Sequence, residues 1–390
     1  MMIKIKLVFI VLSVCLLSSL DVFAKDVEMQ IKLYASSNFK TFNFTAEEPT
    51  SFYSGKKKIG IAYKSQTIEI NSNNNFINLK IGNKEFSDIE ELKIENSNNN
   101  NRYKLKINNK PETEREYEGR LLVTSDSIGF KIINEVNLET YIAGVVEAEI
   151  GSKANVEMYK TKAIACRTYA LKEFKKHKKE NYYLCDMEHC QVYKGICKSS
   201  IILNAVKETS NLVIVDKDNY LISAAFHSNC GGVTCNSEDV WSLPTSYLKS
   251  IVDTFCLNQS RAKWEKKIAL SDWINYLSTK YNYPSLDIQA LRTAMNWSQY
   301  DRALYFANDT SIALKNIRAD WELKSTFFSI QQQSDSVLFY GKGSGHGIGL
   351  CQQGAMRMAE LNYTFAQIIS FYYKDVRIIN YADVKDKNLK

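Results

Sequence analysis

Histidine is the scarcest chemically useful residue in this chain, with four copies among 390 residues. His177, His189, His227 and His346 fall in three stretches that also concentrate cysteine, glycine and polar residues. The first runs from His177 to Cys190 and reads HKKENYYLCDMEHC. Thiolate and imidazole are the ligands zinc prefers, and His177, Cys185, His189 and Cys190 could supply four. The C-x4-C spacing is not that of a standard zinc ribbon. A local Cys185–Cys190 disulfide beside surface histidines is the competing reading.

The second stretch, Phe226–Trp241 (FHSNCGGVTCNSEDVW), places Gly231-Gly232 just after His227, Ser228 and Asn229. Paired glycines permit a tight turn and close backbone approach to a ligand. Hydroxyl and amide groups here suit a sugar-rich substrate. Cys230 and Cys235 either pair or pack as small apolar residues. The third stretch, Gly341–Ala355, surrounds His346 with six glycines and leads into a helix-like run. It matches neither the dinucleotide fingerprint nor the P-loop, because no Lys-Ser/Thr follows and no βαβ context precedes it. The carboxylates are Glu147 and Glu149, at the end of the apolar run GVVEAEIG. Desolvation at such a position raises a carboxyl pKa toward that of a general acid. A solvated helix terminus is the plain alternative.

The elements that must hold these residues point to an α+β body. Residues 26–115 show short period-two runs at Gln30–Tyr34, Lys58–Ala62, Thr67–Ile70 and Tyr103–Ile107, separated by Asn-rich turns. This is a β-rich region. Strands are expected to continue at Gly119–Thr124 and Ser127–Ile133. Helical spacing then appears at Leu138–Ile150 and Val156–Lys175. A helix at Asn204–Glu208 precedes strands at Leu212–Asp216 and Leu221–His227. Helices are expected at Leu270–Lys280 and Ser285–Ala294, strands at Ala303–Ala307, Ile312–Leu314 and Val337–Phe339, and helices at Gln352–Leu361 and Thr364–Tyr373.

Composition narrows the class. An apolar fraction of 45% excludes wholesale disorder. The net charge of +7 is spread without a dense basic block, so a nucleic-acid partner is not expected. Lys4 and Lys6 precede the apolar run Leu7–Leu20, and Val22-Phe23-Ala24 suits a cut after Ala24. Residues 1–24 therefore read as a signal peptide, or otherwise a single N-terminal anchor, and the rest as exported to the extracytoplasmic face or cell wall. The run is shorter than the roughly 20 residues a span needs.

In order along the chain, Asn134–Val146, Ala148-Glu149-Ile150, Lys160–Leu171 (KTKAIACRTYAL), Cys185–Gly195 (CDMEHCQVYKG), His227–Trp241, Gly343–Ala355 and a final Phe-Tyr-Tyr-Lys-Asp-Val run can be quoted together. The sequence resembles the stage II sporulation protein D/LytB family of peptidoglycan-active proteins over roughly residues 115–380. The resemblance implies a catalytic domain at 116–380 following the β-rich region, with a glycan-binding groove. It implies a lytic transglycosylase that cleaves between MurNAc and GlcNAc on denuded glycan and leaves 1,6-anhydro-MurNAc ends, with a role in spore engulfment. It places the catalytic acid at Glu149 rather than Glu147, and a second active-site residue at Tyr247. It assigns zinc to His177, Cys185, His189 and Cys190, and groove-lining roles to Arg167, Ser228, Gly231, Gly232, His346 and Gln352. Arg167 is alternatively a buried arginine paired with a carboxylate.

The chain departs from the family pattern. Glu147 stands where proline is usual, Cys351 where serine is usual, and Cys166, Cys230 and Cys235 replace small residues. A competing function follows from the same family, in which some members are non-enzymatic binders that enhance a cell-wall amidase. The expected partners are peptidoglycan strands and a cell-wall amidase or other engulfment proteins.

Overall fold

A computed structural model describes residues 27–96, 101–108, 110–241 and 243–385. The expected leader at residues 1–24 lies outside the described residues. Among the described residues no helix is long and apolar enough to cross a membrane.

The fold is α+β. Its first layer is a pair of sheets. One runs in the order Leu184–Cys185, Glu28–Leu33, Phe130–Asn137, Arg120–Ser125, Glu91–Glu95, Thr50–Ser54, Lys57–Ala62. The other runs Arg115–Glu118, Arg102–Ile107, Thr41–Ala46, Thr67–Asn73, Phe76–Ile81, Lys84–Ile89. Alternation explains both: Phe42, Phe44 and Ala46 are buried while their neighbours are not, as are Tyr103, Leu105 and Ile107. Rings from the two sheets meet edge to face, Phe44 with Phe52 at 5.3 Å and Phe42 with Phe130 at 4.9 Å. Offset contacts of this kind are favoured by the ring quadrupoles.

The last strand of that layer feeds helix α1, Leu138–Ile150, capped by the Asn137 side chain on the Glu139 N–H. Helix α2, Val156–Lys172, is capped the same way by Asn155 on Glu157. Twelve of the 17 residues of α2 are buried, so it is not an ordinary amphipathic surface helix. Tyr159, Ala163, Cys166 and Ala170 pack into the core beneath the sheets. Met158, Ile164 and Ala165 pack into a second core built from the C-terminal half. Helix α2 is thus the wall between two cores.

In the second core Phe226–His227 pairs in parallel with Leu350–Cys351, and Asn229 bridges to Ser344. This short pairing brings the two glycine-rich stretches side by side. Helices Gln352–Glu360 and Phe365–Tyr372 close that core. A third core belongs to residues 263–342, where strands Lys263–Ala269, Ser336–Lys342 and Phe328–Gln333 form a sheet under Trp273, Phe306 and Phe339.

Three expected strands are corrected. Ala303–Ala307 and Ile312–Leu314 hold only a single bridge, Tyr305 to Ala313, and a helix starts at Leu314. Ala307 sits at φ 51, which breaks an extended run, and the Asp309 side chain turns the chain onto the Ser311 N–H. Leu221–His227 is extended only at Phe226–His227. Its Ser223 N–H donates to the Tyr247 hydroxyl instead of a neighbouring strand.

Candidate functional site

The groove is built where α1 ends. Glu149, the penultimate residue of α1, faces a cleft also lined by Val192, Phe226, His227, Ser228, His346 and Gln352. Its side chain is 14% exposed. Oε1 accepts the Val192 N–H at 3.1 Å, and Oε2 accepts from Gln352 Nε2 at 3.2 Å. The two donors come from the Cys/His loop and from the first turn of the helix after the glycine-rich stretch. Lys162 of α2 brings its Nζ to 3.8 Å from Oε2. Lys162 is fully buried, its Nζ has no hydrogen-bond partner among the described residues, and it lies 2.8 Å from the centre of the Phe226 ring. Burial pushes its pKa down. The sequence reading missed Lys162. Its only signal was a lysine on the buried side of α2, four residues before Cys166.

Glu147 goes elsewhere. Its carboxylate accepts the N–H groups of Lys198 and Ser199, just ahead of the helix Ser200–Glu208. It therefore serves a helix N-terminus, where negative charge is favoured.

The histidines of the glycine-rich stretches are tied down. His346 Nδ1 accepts the Ile348 N–H at 3.0 Å, so the proton sits on Nε2 and is donated to the Phe226 carbonyl at 3.0 Å. Both ring nitrogens are used and the ring is neutral; burial lowers its pKa to about 4. His227 donates Nδ1–H to the Ile348 carbonyl, and burial holds its pKa well below the ordinary histidine value. His346 and His227 thus brace the groove wall rather than carry protons. Trp241, 44% exposed, lies 5.7 Å from the His346 ring and extends an aromatic wall. Ser228 accepts from Arg261 at 3.0 Å. Arg261, Arg318 and Lys324 add positive charge to the cleft.

Gly231 and Gly232 do not line the cleft with Glu149. Gly231 is at φ 70, and a Cβ there would come within 2.7 Å of the Lys342 backbone. Its glycine is needed for close packing of the two loops.

The Cys/His loop stands beside the groove. The ligating atoms of His177, Cys185, His189 and Cys190 all lie within 4.8 Å of one another. Cys190 Sγ is 3.4 Å from His177 Nε2 and 3.8 Å from His189 Nδ1; Cys185 Sγ is 4.0 Å from the same Nδ1. His177 Nδ1 meets the Glu180 carboxylate at 2.7 Å, which leaves Nε2 turned toward the sulfurs. Both thiols are free and buried. Asp186 anchors the loop to the sheets, accepting from Tyr34 N at 2.7 Å, Ala35 N at 3.0 Å and Arg115 at 3.1 Å. The loop then runs to Val192, the partner of Glu149.

Comparison with known proteins matches residues 126–215 to the family model described as stage II sporulation protein. An uncharacterized protein of Brachyspira hyodysenteriae is 26% identical over 273 residues, covering 69% of this chain and 74% of its own. Stage II sporulation protein D of Bacillus subtilis is 25% identical over 262 residues, covering 63% of this chain and 75% of its own. Over residues 126–215 the chain is similar to the stage II sporulation protein family, and over a longer span to the stage II sporulation protein D relatives. An amidase enhancer of Bacillus subtilis is also similar, 24% identical over 294 residues, which cover 62% of this chain and 40% of that protein.

The segment matched to the stage II sporulation protein model holds Glu149, Lys162, Arg167 and the Cys/His cluster. Within it, Arg167 is corrected from groove lining to a structural role. It is fully buried, clamps Glu139 through Nε at 2.7 Å and Nη2 at 2.6 Å, and donates to the Leu212 carbonyl at 3.0 Å. A buried guanidinium is tolerable only when so paired. Tyr247, expected as a second active-site residue, is half-buried. Its hydroxyl accepts the Ser223 N–H at 2.9 Å, and it is not among the residues that line the cleft with Glu149.

Proposed function

We propose that this protein is a lytic transglycosylase acting on denuded peptidoglycan glycan strands outside the cytoplasmic membrane, in spore engulfment. The observation that supports this reading is Glu149: one carboxyl group, fixed through both oxygens, at the floor of a cleft walled by aromatic, hydroxyl and amide groups. A glycan strand laid over the cleft strips water from Glu149, and desolvation favours the neutral, proton-donating form of a carboxyl group. The Glu149 carboxyl proton passes to the glycosidic oxygen between MurNAc and GlcNAc as the C1–O bond breaks. The resulting carboxylate then takes the proton of the MurNAc C6 hydroxyl as that oxygen bonds to C1. The products are a 1,6-anhydro-MurNAc end and a GlcNAc bearing a free C4 hydroxyl. Water is not the nucleophile, so the second carboxylate of a hydrolase is not required.

Gln352 and the Val192 N–H hold the two oxygens in register. Lys162, buried beneath, places a cationic or hydrogen-bonding group against the carboxylate after it has given up its proton. Ser228, His346 and Trp241 offer hydrogen bonds and ring faces to the sugar. The donor set His177, Cys185, His189 and Cys190 fits zinc: two sulfurs and two imidazoles at separations near the roughly 3.5–3.8 Å edges of a tetrahedral site. Zinc there would supply structural closure of the loop that delivers the Val192 N–H.

Similarity to an amidase enhancer supports a second reading, a non-catalytic glycan binder that stimulates a cell-wall amidase. Incubating the full chain with denuded strands, with and without added zinc, and weighing the products separates the two. Anhydro ends are expected. Their absence under both conditions, with stimulation of an amidase, overturns the enzyme reading.

A further inference from the structure

Two of the cysteines that depart from the family pattern, Cys230 and Cys351, meet Cys256 in a second buried cluster, distinct from the His177–Cys190 loop. The ligating atoms of Cys230, Asp253, Cys256 and Cys351 all lie within 4.8 Å of one another, and all four residues are buried. Cys230 Sγ is 3.3 Å from Cys256 Sγ and 3.3 Å from Asp253 Oδ2.

Three features go beyond apolar packing. First, Asp253 is a fully buried carboxylate with no cationic side chain in an ion pair with it among the described residues. It accepts from the Tyr372 hydroxyl at 2.9 Å, the Phe255 N–H at 3.0 Å and the Cys230 thiol at 3.3 Å. A buried charge is stable when paired or bound to a metal. Second, Cys351 Sγ accepts two backbone N–H groups, from Cys230 at 3.3 Å and Gly354 at 3.4 Å, the latter in the first turn of the helix Gln352–Glu360. Such N–H donors neutralise a thiolate ligand. Third, the helix makes room for the carboxylate: a Cβ on Gly354 would stand 2.4 Å from Asp253 Oδ2.

We infer that Cys230, Asp253, Cys256 and Cys351 form a second, structural metal site for a thiophilic divalent cation of zinc type, with three sulfurs and one carboxylate oxygen. Zn–S bonds of about 2.3 Å set S···S edges of about 3.8 Å, so the Cys230–Cys256 pair opens by roughly half an ångström on binding. Asp253 caps and Cys256 ends one tight turn, Thr254–Cys256, while Cys230 and Cys351 come from the two glycine-rich segments. The ion clips those segments together under the groove. Asn229 follows the same path, donating to the Cys256 carbonyl at 3.1 Å and to Gln353 at 2.8 Å. A disulfide could join only two of the three sulfurs and would leave the third thiol and the carboxylate unmatched.

The test is metal content of the purified full chain, with cobalt as the spectroscopic probe. Wild-type protein is expected to hold two metal ions per chain. Its sulfur-to-cobalt charge-transfer band should exceed that of a Cys256→Ser/Cys351→Ser variant by the contribution of three thiolates. The Cys185→Ala/Cys190→Ala variant, which removes the other cluster, is expected to retain one ion and the three-sulfur band. Loss of all metal from that variant while it stays folded by circular dichroism overturns the site. So does a Cys230–Cys256 disulfide in non-reduced digests of wild-type protein. The wild-type protein decides the matter even if a variant fails to fold: no bound metal, or bound cobalt without the three-sulfur charge-transfer band, refutes the inference. Zinc at His177–Cys190 is judged separately, by the ion that the Cys185→Ala/Cys190→Ala variant loses.

Discussion

Two glutamates two residues apart have opposite fates. Glu149→Gln keeps the shape of the side chain and its contacts with Val192 and Gln352 but cannot carry the proton. Cleavage of denuded glycan is expected to fall by roughly 10²–10⁴-fold with thermal stability unchanged; full cleavage by the variant refutes the assignment. Glu147→Ala should do the reverse. It removes the acceptor for the Lys198 and Ser199 N–H groups, costing about 1–2 kcal/mol of stability by urea titration, with activity per folded molecule retained. The sequence placed both at the end of one apolar run, and only the family resemblance chose between them. Which way each carboxylate points depends on the Gly151 turn and on loops at 188–199, long-range facts that local spacing does not carry.

The buried histidines make a pH prediction. In the folded chain His346 binds a proton only near pH 4, against about 6.5 when exposed, and burial holds His227 well below its ordinary value too. Between those values the unfolded chain binds more protons than the folded one, so stability falls as pH drops from about 6.5 toward 4 and is flat just above that range. Imidazole resonances of His227 and His346 that do not move between pH 8 and 5 would bear this out. A resonance shift centred near pH 6.5 for either ring would refute it.

At the scale of elements, Gly144 marks the crossing of α1 and the Cys/His loop. A Cβ there would stand 2.2 Å from the Gly195 carbonyl and 2.6 Å from the Tyr193 ring. Gly144→Ala gains about 1 kcal/mol of helix propensity but forces that crossing apart. Overpacking of this kind costs about 1–3 kcal/mol, so a net loss of stability is expected in thermal melts. Activity should fall further than stability, because Val192 is carried on the displaced loop. The long helices were legible in the sequence. Leu138–Ile150 is read with its observed bounds, because its caps and apolar spacing are local. The strands Thr41–Ala46 and Phe328–Gln333 were not, because their burial is set by partners far along the chain. Arg167 is the mixed case: spacing put it on a helix, but only Glu139, 28 residues away, shows it to be structural.

At the scale of the molecule, the strands at 28–33 and 91–95 flank those at 120–125 and 130–137 in one sheet. A chain starting at residue 116 would expose Leu121, Val123, Ile132 and Val136, all buried in the full protein. It is expected to aggregate or to unfold without a cooperative transition, whereas the full chain gives one; a sharp, reversible melt of the shortened chain would count against this. Helix α2 has a related consequence. Because it lines both the sheet core and the groove core, neither can open without stripping one face of it. Amide protons of α2 should therefore exchange with solvent only at the rate set by global unfolding. A glycan fragment held in the groove would then slow exchange in α2 and in the sheet strands packed behind it, registering occupancy in a layer the sugar never touches.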